Sequence, residues 1–160
     1  LSKMTIKLLA IGKTDDATLQ NLTEIYIKRL QFYNKFEMEV IPDLKKAKNL
    51  DENQQKQKEG ELILSKLSPS DFVVLLDENG KQFSSEGFSE FVQKRLNSGL
   101  KQLVFIIGGP YGFSQDVYSR ADSKVSLSKM TFSHQMVRLF FTEQLYRAFT
   151  ILRNEPYHHK

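Results

Sequence analysis

Cysteine is absent from all 160 residues, which excludes disulfide scaffolds, thiolate zinc sites, iron–sulfur clusters and cysteine nucleophiles. Nothing in the chain requires an oxidising compartment, and the cytoplasm is the expected location. Long hydrophobic runs are missing as well. No apolar stretch approaches the roughly 18 residues of a membrane span, and Leu1 to Ile11 lacks a signal peptide's long apolar core and small-residue cleavage site, so no membrane association is expected. Only three histidines occur, His134, His158 and His159, and none has a partner at metal-ligand spacing. No metal is expected. Internal repeats are absent too.

A large charge of one sign is also lacking: 23 Lys and Arg against 19 Asp and Glu leave +4. Its placement is uneven. Residues 1–119 carry 16 basic and 16 acidic side chains, so the excess lies in residues 120–160. There Arg120, Lys124, Lys129, Arg138, Arg147, Arg153 and Lys160 face only Asp122, Glu143 and Glu155. With all three histidines and Tyr157 in the same quarter, this segment suits phosphates and bases. A solvated helix with a cationic last turn would account for the charge equally simply.

What is present is ordinary globular composition, 40% hydrophobic and 26% charged, in a length that suits a single domain over residues 1–160. Five short β-rich runs alternate with helical patterns. Thr5–Ile11 reads as a strand, Leu19, Leu22, Tyr26, Leu30 and Tyr33 recur at helical spacing, and Phe36, Met38 and Val40 alternate as a second strand closed by Pro42. The polar stretch 43–58 reads as a surface loop leading into a helix through Leu62, Ile63 and Leu67. Phe72–Leu76 and Leu103–Ile107 are continuous apolar runs, as strands buried on both faces should be. Between them a helix capped by Ser84 or Ser85 carries Phe88, Phe91, Val92 and Leu96 and stops at Gly99. A short helix over Ser114–Ser119 and a strand near Lys124–Ser128 follow. A long helix then runs from His134 to Arg153 with Val137, Phe140, Phe141, Leu145, Phe149 and Leu152 inward. The alternation predicts an α/β fold with a mostly parallel sheet flanked by helices.

Two phosphate-binding patterns fail: Lys7 stands where a P-loop ending in Gly12-Lys13-Thr14 needs its first glycine, and Ile107 stands where G-x-G-x-x-G would begin. What remains is Gly108-Gly109-Pro110-Tyr111-Gly112 at the carboxyl end of a buried strand. Ligands of open α/β sheets bind there, and missing Cβ atoms let the backbone approach them, although a tight connection would use the same glycines. The run 127–138 (LSKMTFSHQMVR) joins strand to helix through hydroxyls, a lysine and apolar side chains, with little turn chemistry. Something else must hold it. Ser133 suits the helix N-cap.

These residues resemble a known family. The glycine turn, the run 127–138, the helix sequence Glu143-Gln144-Leu145-Tyr146-Arg147-Ala148 and the terminal Arg153-Asn154-Glu155-Pro156-Tyr157-His158 are similar to the ribosomal RNA large subunit methyltransferase H family of SPOUT methyltransferases. Ile6 to Lys13 and Ser84-Ser85-Glu86-Gly87 extend the similarity to nearly the whole chain. Asn154 departs from it, standing where the family usually has glycine, and Met4 reads as the natural start after Leu1-Ser2-Lys3. The resemblance implies a SPOUT-type fold with a carboxyl-terminal trefoil knot, a homodimer, and transfer of a methyl group from S-adenosylmethionine to N3 of a pseudouridine in 23S rRNA within the assembled ribosome. It implies cofactor contacts at Leu76, Gly108, Leu127, Ser128, Lys129, Met130, Thr131 and Phe132.

The acceptor sets a chemical requirement. N3 of pseudouridine is an imide nitrogen with no in-plane lone pair until its proton leaves, so its site needs cationic donors or a nearby base. Arg138, Arg153, Tyr157 and His158 are the candidates, Arg138 first because it follows the cofactor segment closely; each would serve an RNA phosphate as well. The tail beyond Leu152 lies past the apolar stripe, so core packing does not account for it, and it is expected near the cofactor of the other subunit. A SPOUT enzyme acting on tRNA or another rRNA position is one alternative. A non-enzymatic ribosome-binding module is the other.

Overall fold

Along strand β1 (Thr5–Ile11), Ile6, Leu8 and Ala10 join one core cluster and Leu9 the other, as the two-residue period of a strand requires. Strand β4 (Gln102–Ile107) repeats the pattern with Leu103, Phe105 and Ile107 against Val104 and Ile106. Both are buried on two faces, which explains the unbroken apolar run Leu103–Ile107 in β4 and the largely apolar interior of β1, broken only by Lys7. With β2 (Phe36–Ile41), β3 (Phe72–Gln82) and β5 (Ser123–Ser126) they form a sheet of order β2-β1-β4-β3-β5 in which every pairing is parallel. The computed structural model describes residues 3–159. Leu1 and Ser2, ahead of Met4, and the terminal Lys160 of the basic segment lie outside the described residues.

Helices α1 (Ala17–Leu30), α3 (Ser85–Leu96) and α5 (His134–Leu152) cover one face, contributing Leu30, Phe88, Phe91, Phe141, Leu145 and Phe149. Helices α2 (Glu52–Ser65) and α4 (Gln115–Arg120) cover the other through Ile63 and Val117. Ser84, Ser114 and Ser133 each accept a backbone N–H as N-caps of α3, α4 and α5. Among the described residues no helix is long and apolar enough to cross a membrane.

The structure departs from the sequence reading at four places. Helix α2 begins at Glu52, within the stretch expected to be loop, because Asp51 and Gln54 form a reciprocal capping box and Glu59 and Gly60 are buried. Strand β3 continues past Leu76 through polar residues to Gln82, since Lys81 and Gln82 pair with Val125 and Ser126 beyond a bulge. Strand β5 correspondingly ends at Ser126. On α5, Leu139 and Arg138 are buried, whereas Phe140 faces a cavity. The departure at Asn154 is mild: it holds a left-handed φ of 56°, which asparagine tolerates best after glycine.

Candidate functional site

Because every strand is parallel, the bulge of β3 and the turns leaving β4 and β5 share one rim, and a cavity of about 480 Å³ opens there. That size lies within the roughly 300–1,000 Å³ usual for small-molecule sites. Leu76 lines it from the edge of the β3 bulge and Gly108 from the end of β4, Leu127, Ser128, Met130, Thr131 and Phe132 from the linker, and His134 and Val137 from α5. Lys129 is the one expected contact outside this lining; its side chain is exposed.

The linker is held by its own hydroxyls. Ser126 Oγ donates to the Ser128 carbonyl at 2.9 Å, Ser128 Oγ accepts from the Met130 N–H at 3.0 Å, and the Thr131 hydroxyl lies 3.4 Å from Glu78. In the glycine turn, Gly112 adopts φ +82° and its N–H donates to the Gly109 carbonyl at 3.1 Å. Asp77, Asn79 and Tyr118 complete the wall and were invisible to motif reasoning; a polar residue at the end of an apolar strand was the only available signal. Tyr118 donates to Asp77 at 2.5 Å, and burial together with this bond pushes its phenol up to about 12.

Arg138 occupies a different place from the one expected of a group touching substrate. It is 2% exposed and is not part of the cavity wall. Its Nη2 donates to the carbonyls of Ile11 at 2.8 Å and Gly12 at 2.6 Å, and its Nη1 to Thr14 Oγ1 at 3.0 Å. Gln135 Oε1 accepts from the N–H groups of Asp15 and Asp16. Together they fasten the start of α5 to the turn after β1. Burial lowers the Arg138 pKa, opposed by Asp43 and Asp15.

The tail joins neither core cluster, as expected, but it is packed rather than free. Arg153 is exposed, with its guanidinium 4.8 Å from the Tyr33 ring centre. Tyr157 packs edge-on against Tyr146 at 4.8 Å, and its hydroxyl lies 3.4 Å from both Tyr26 Oη and Glu143 Oε1. Burial, then the bond with Tyr26 and the Glu143 charge, raise its pKa, so the phenol is a neutral donor and a poor base. His158 Nδ1 lies 3.1 Å from Arg147 Nη1 and Nε2 lies 2.7 Å from Glu86. Arginine can only donate, so Nδ1 accepts and the proton sits on Nε2, directed at Glu86. Both ring nitrogens are therefore engaged.

A second cavity, of about 520 Å³, adjoins the first and shares Leu127 and Phe132 with it. Tyr26 and Glu143 line it and hold Tyr157 at its edge, while Phe83, Phe88 and Phe140 make it apolar. Arg138 and Arg153 lie about 22 Å apart along the axis of α5, at 1.5 Å per residue. Within one chain the four polar candidates thus do not converge on one point. Among the described residues there is no cluster of three or more His, Asp or Glu able to hold a metal ion.

Residues 4–158 match a family model described as "Predicted SPOUT methyltransferase". Over 157 residues, 98% of this chain and the full length of the relative, the chain is 78% identical to a protein of Christiangramia forsetii named ribosomal RNA large subunit methyltransferase H. With the same coverage it is 71% identical to the protein of that name from Flavobacterium johnsoniae and 52% to that from Bacteroides thetaiotaomicron.

Proposed function

The chain belongs to the SPOUT methyltransferase family, and from that premise we propose that it transfers a methyl group from S-adenosylmethionine to N3 of a pseudouridine in large-subunit ribosomal RNA, in the assembled ribosome. Such a substrate puts the enzyme in the cytoplasm. The observation that carries this reading is the meeting of Leu76, Gly108 and the linker 127–132, distant in sequence, around one cavity. Threading of that linker as a trefoil knot belongs to the same reading.

The cavity suits the donor. Leu76, Met130, Phe132 and Val137 offer apolar walls, the turn 108–112 offers backbone close to a ligand, and Asp77 and Glu78 favour a cation. S-adenosylmethionine, when bound, supplies an activated methyl group. The residues of this chain have then to orient the donor and exclude water, tasks for the linker and the glycine turn.

Activation of the acceptor falls to groups that one chain does not bring together, so the active species is a homodimer in which the tail of one subunit completes the site of the other. The exposed Arg153 guanidinium is available to an imidate anion or a phosphate. Tyr157 donates a hydrogen bond as a neutral phenol. His158 can take the N3 proton at Nδ1 only by releasing the bond from Arg147, which ties its use as a base to displacement of that pair. Arg138 acts at one remove, holding the turn after β1.

Calorimetry with S-adenosylmethionine and transfer of labelled methyl to ribosomes lacking the modification test the proposal together. Binding in the micromolar range and label at a single pseudouridine are expected. No binding at millimolar donor refutes the enzyme reading in favour of a docking module, and label on tRNA or another rRNA position refutes the assigned substrate.

A further inference from the structure

Glu59 lies on α2, outside the lining of either cavity just described, yet is 3% exposed. Its Oε2 accepts from Gln55 Nε2 at 3.2 Å, and its Oε1 has no hydrogen-bond partner among the described residues. The charged group acting on it is Asp43, from the turn after β2, and it is of like sign. Gln55, on its own helix, is neutral. A buried carboxyl without a cation and with one oxygen unbonded is expensive, and a leucine or methionine would fill the same space without that penalty. Packing alone does not explain it.

Its surroundings do. A Cβ on Gly109 would fall 2.7 Å from Glu59 Oε2 and closer still to Oε1, so the carboxyl lies directly against the backbone of the glycine turn. The next residue behaves alike: a Cβ on Gly60 would collide with Ser114 Oγ, the N-cap of α4. Helix α2 is thereby seated against both ends of the segment 109–114. Residues 109–113 of that segment, with Gly108 before it, line the methyl-donor cavity.

We propose that Glu59 is a positioning residue for the donor cavity, its carboxyl setting the backbone at Gly108 and Gly109 from behind. The proposal rests on the methyl-donor reading above. Burial, with a smaller push from Asp43, raises the pKa of Glu59, so the neutral acid persists above the usual carboxylate range. Only that form stays beside the turn without a desolvated charge. Ionisation draws the carboxyl toward water and withdraws support from Gly109. Donor-site affinity is therefore full while Glu59 is protonated and declines as pH rises through its raised pKa.

The test is calorimetric titration of wild type, Glu59→Gln and Glu59→Ala with S-adenosylhomocysteine, the demethylated product, at a series of pH values rising from the usual carboxylate range into alkali. Glu59→Gln, isosteric with the neutral acid, is expected to match wild type at the acid end and to keep its affinity where wild type weakens by about tenfold. Glu59→Ala is expected to bind about tenfold more weakly than wild type at the acid end, having lost the support. His134, in the cavity wall, is common to every protein compared, so the comparison isolates residue 59. A merely structural role would lower melting temperature without flattening the pH profile of Glu59→Gln. Parallel profiles for Glu59→Gln and wild type overturn the proposal, whether or not Glu59→Ala folds. Failure of wild type itself to bind overturns the methyl-donor reading and this proposal with it.

Discussion

Replacing Arg138 by alanine, and separately by methionine, distinguishes a fastening role from a chemical one. The guanidinium holds the Gly12 carbonyl at 2.6 Å in a buried bond, and the Ile11 carbonyl at 2.8 Å and Thr14 Oγ1 at 3.0 Å in half-buried ones. Leaving the buried carbonyl unsatisfied costs about 1–3 kcal/mol, and the two half-buried partners, which water can reach in part, add about 1 kcal/mol each. Against this stands relief from burying a cation whose Nε has no partner among the described residues, on the order of 1–2 kcal/mol. Alanine also leaves a void, so Arg138→Ala should lose about 2–6 kcal/mol, and Arg138→Met, which fills the space, about 1–2 kcal/mol less than alanine. Urea denaturation followed by circular dichroism measures both. Methyl transfer by folded Arg138→Met, assayed well below its melting point, should fall by less than about tenfold, because the side chain lies outside the cavity wall. A stability within about 0.5 kcal/mol of wild type in Arg138→Ala, with turnover reduced by about a thousandfold, would refute the fastening argument and return Arg138 to the chemistry.

Gly108→Val should abolish donor binding with near-native circular dichroism, because its Cβ would press on the Phe113 ring at 3.1–3.3 Å on the cavity wall; wild-type affinity in the folded variant would displace the site. Deleting residues 156–160 should lower stability by only about 1–2 kcal/mol, from the lost Tyr157–Tyr146 and Arg147–Tyr157 contacts, and leave donor affinity intact while turnover on ribosomes collapses. A mixed dimer of one tail-deleted and one Gly108→Val subunit then keeps about half the wild-type activity if the tail acts in trans. Near-zero turnover from that heterodimer would count against the shared site. Lys7, hydrogen-bonded to Glu39 at 2.7 Å, lowers the Glu39 pKa, with Lys66 assisting. The pair's stabilisation is therefore present above the ordinary carboxylate pKa and lost as pH falls through the lowered one. The stability gap between wild type and Lys7→Met should close in acid, and a gap independent of pH would contradict the assignment.

Much of the fold is local and was legible in the chain. Period-two alternation in Phe36–Ile41, unbroken apolar runs at 72–76 and 103–107, and serines before helical stripes mark elements whose type is set by the pattern of adjacent residues. The capping box at Asp51 and Gln54 is equally local, but the polar composition around it masks the helix it starts. Tertiary structure alone decided the rest, because it rests on groups far apart in sequence. The polar half of β3 is strand only because β5 pairs with it across a bulge. Arg138 reads from sequence as a cation beside a binding segment, and becomes a buried fastener because carbonyls 126 and 127 residues away point at it. Glu59 directly follows the polar stretch 43–58, where nothing in the sequence marks it out, and is buried because Gly109, with no side chain of its own, leaves room for a carboxyl. Hydropathy registers what a residue prefers in water; which backbone groups wait for it across the sheet is settled only when the strands have been set side by side.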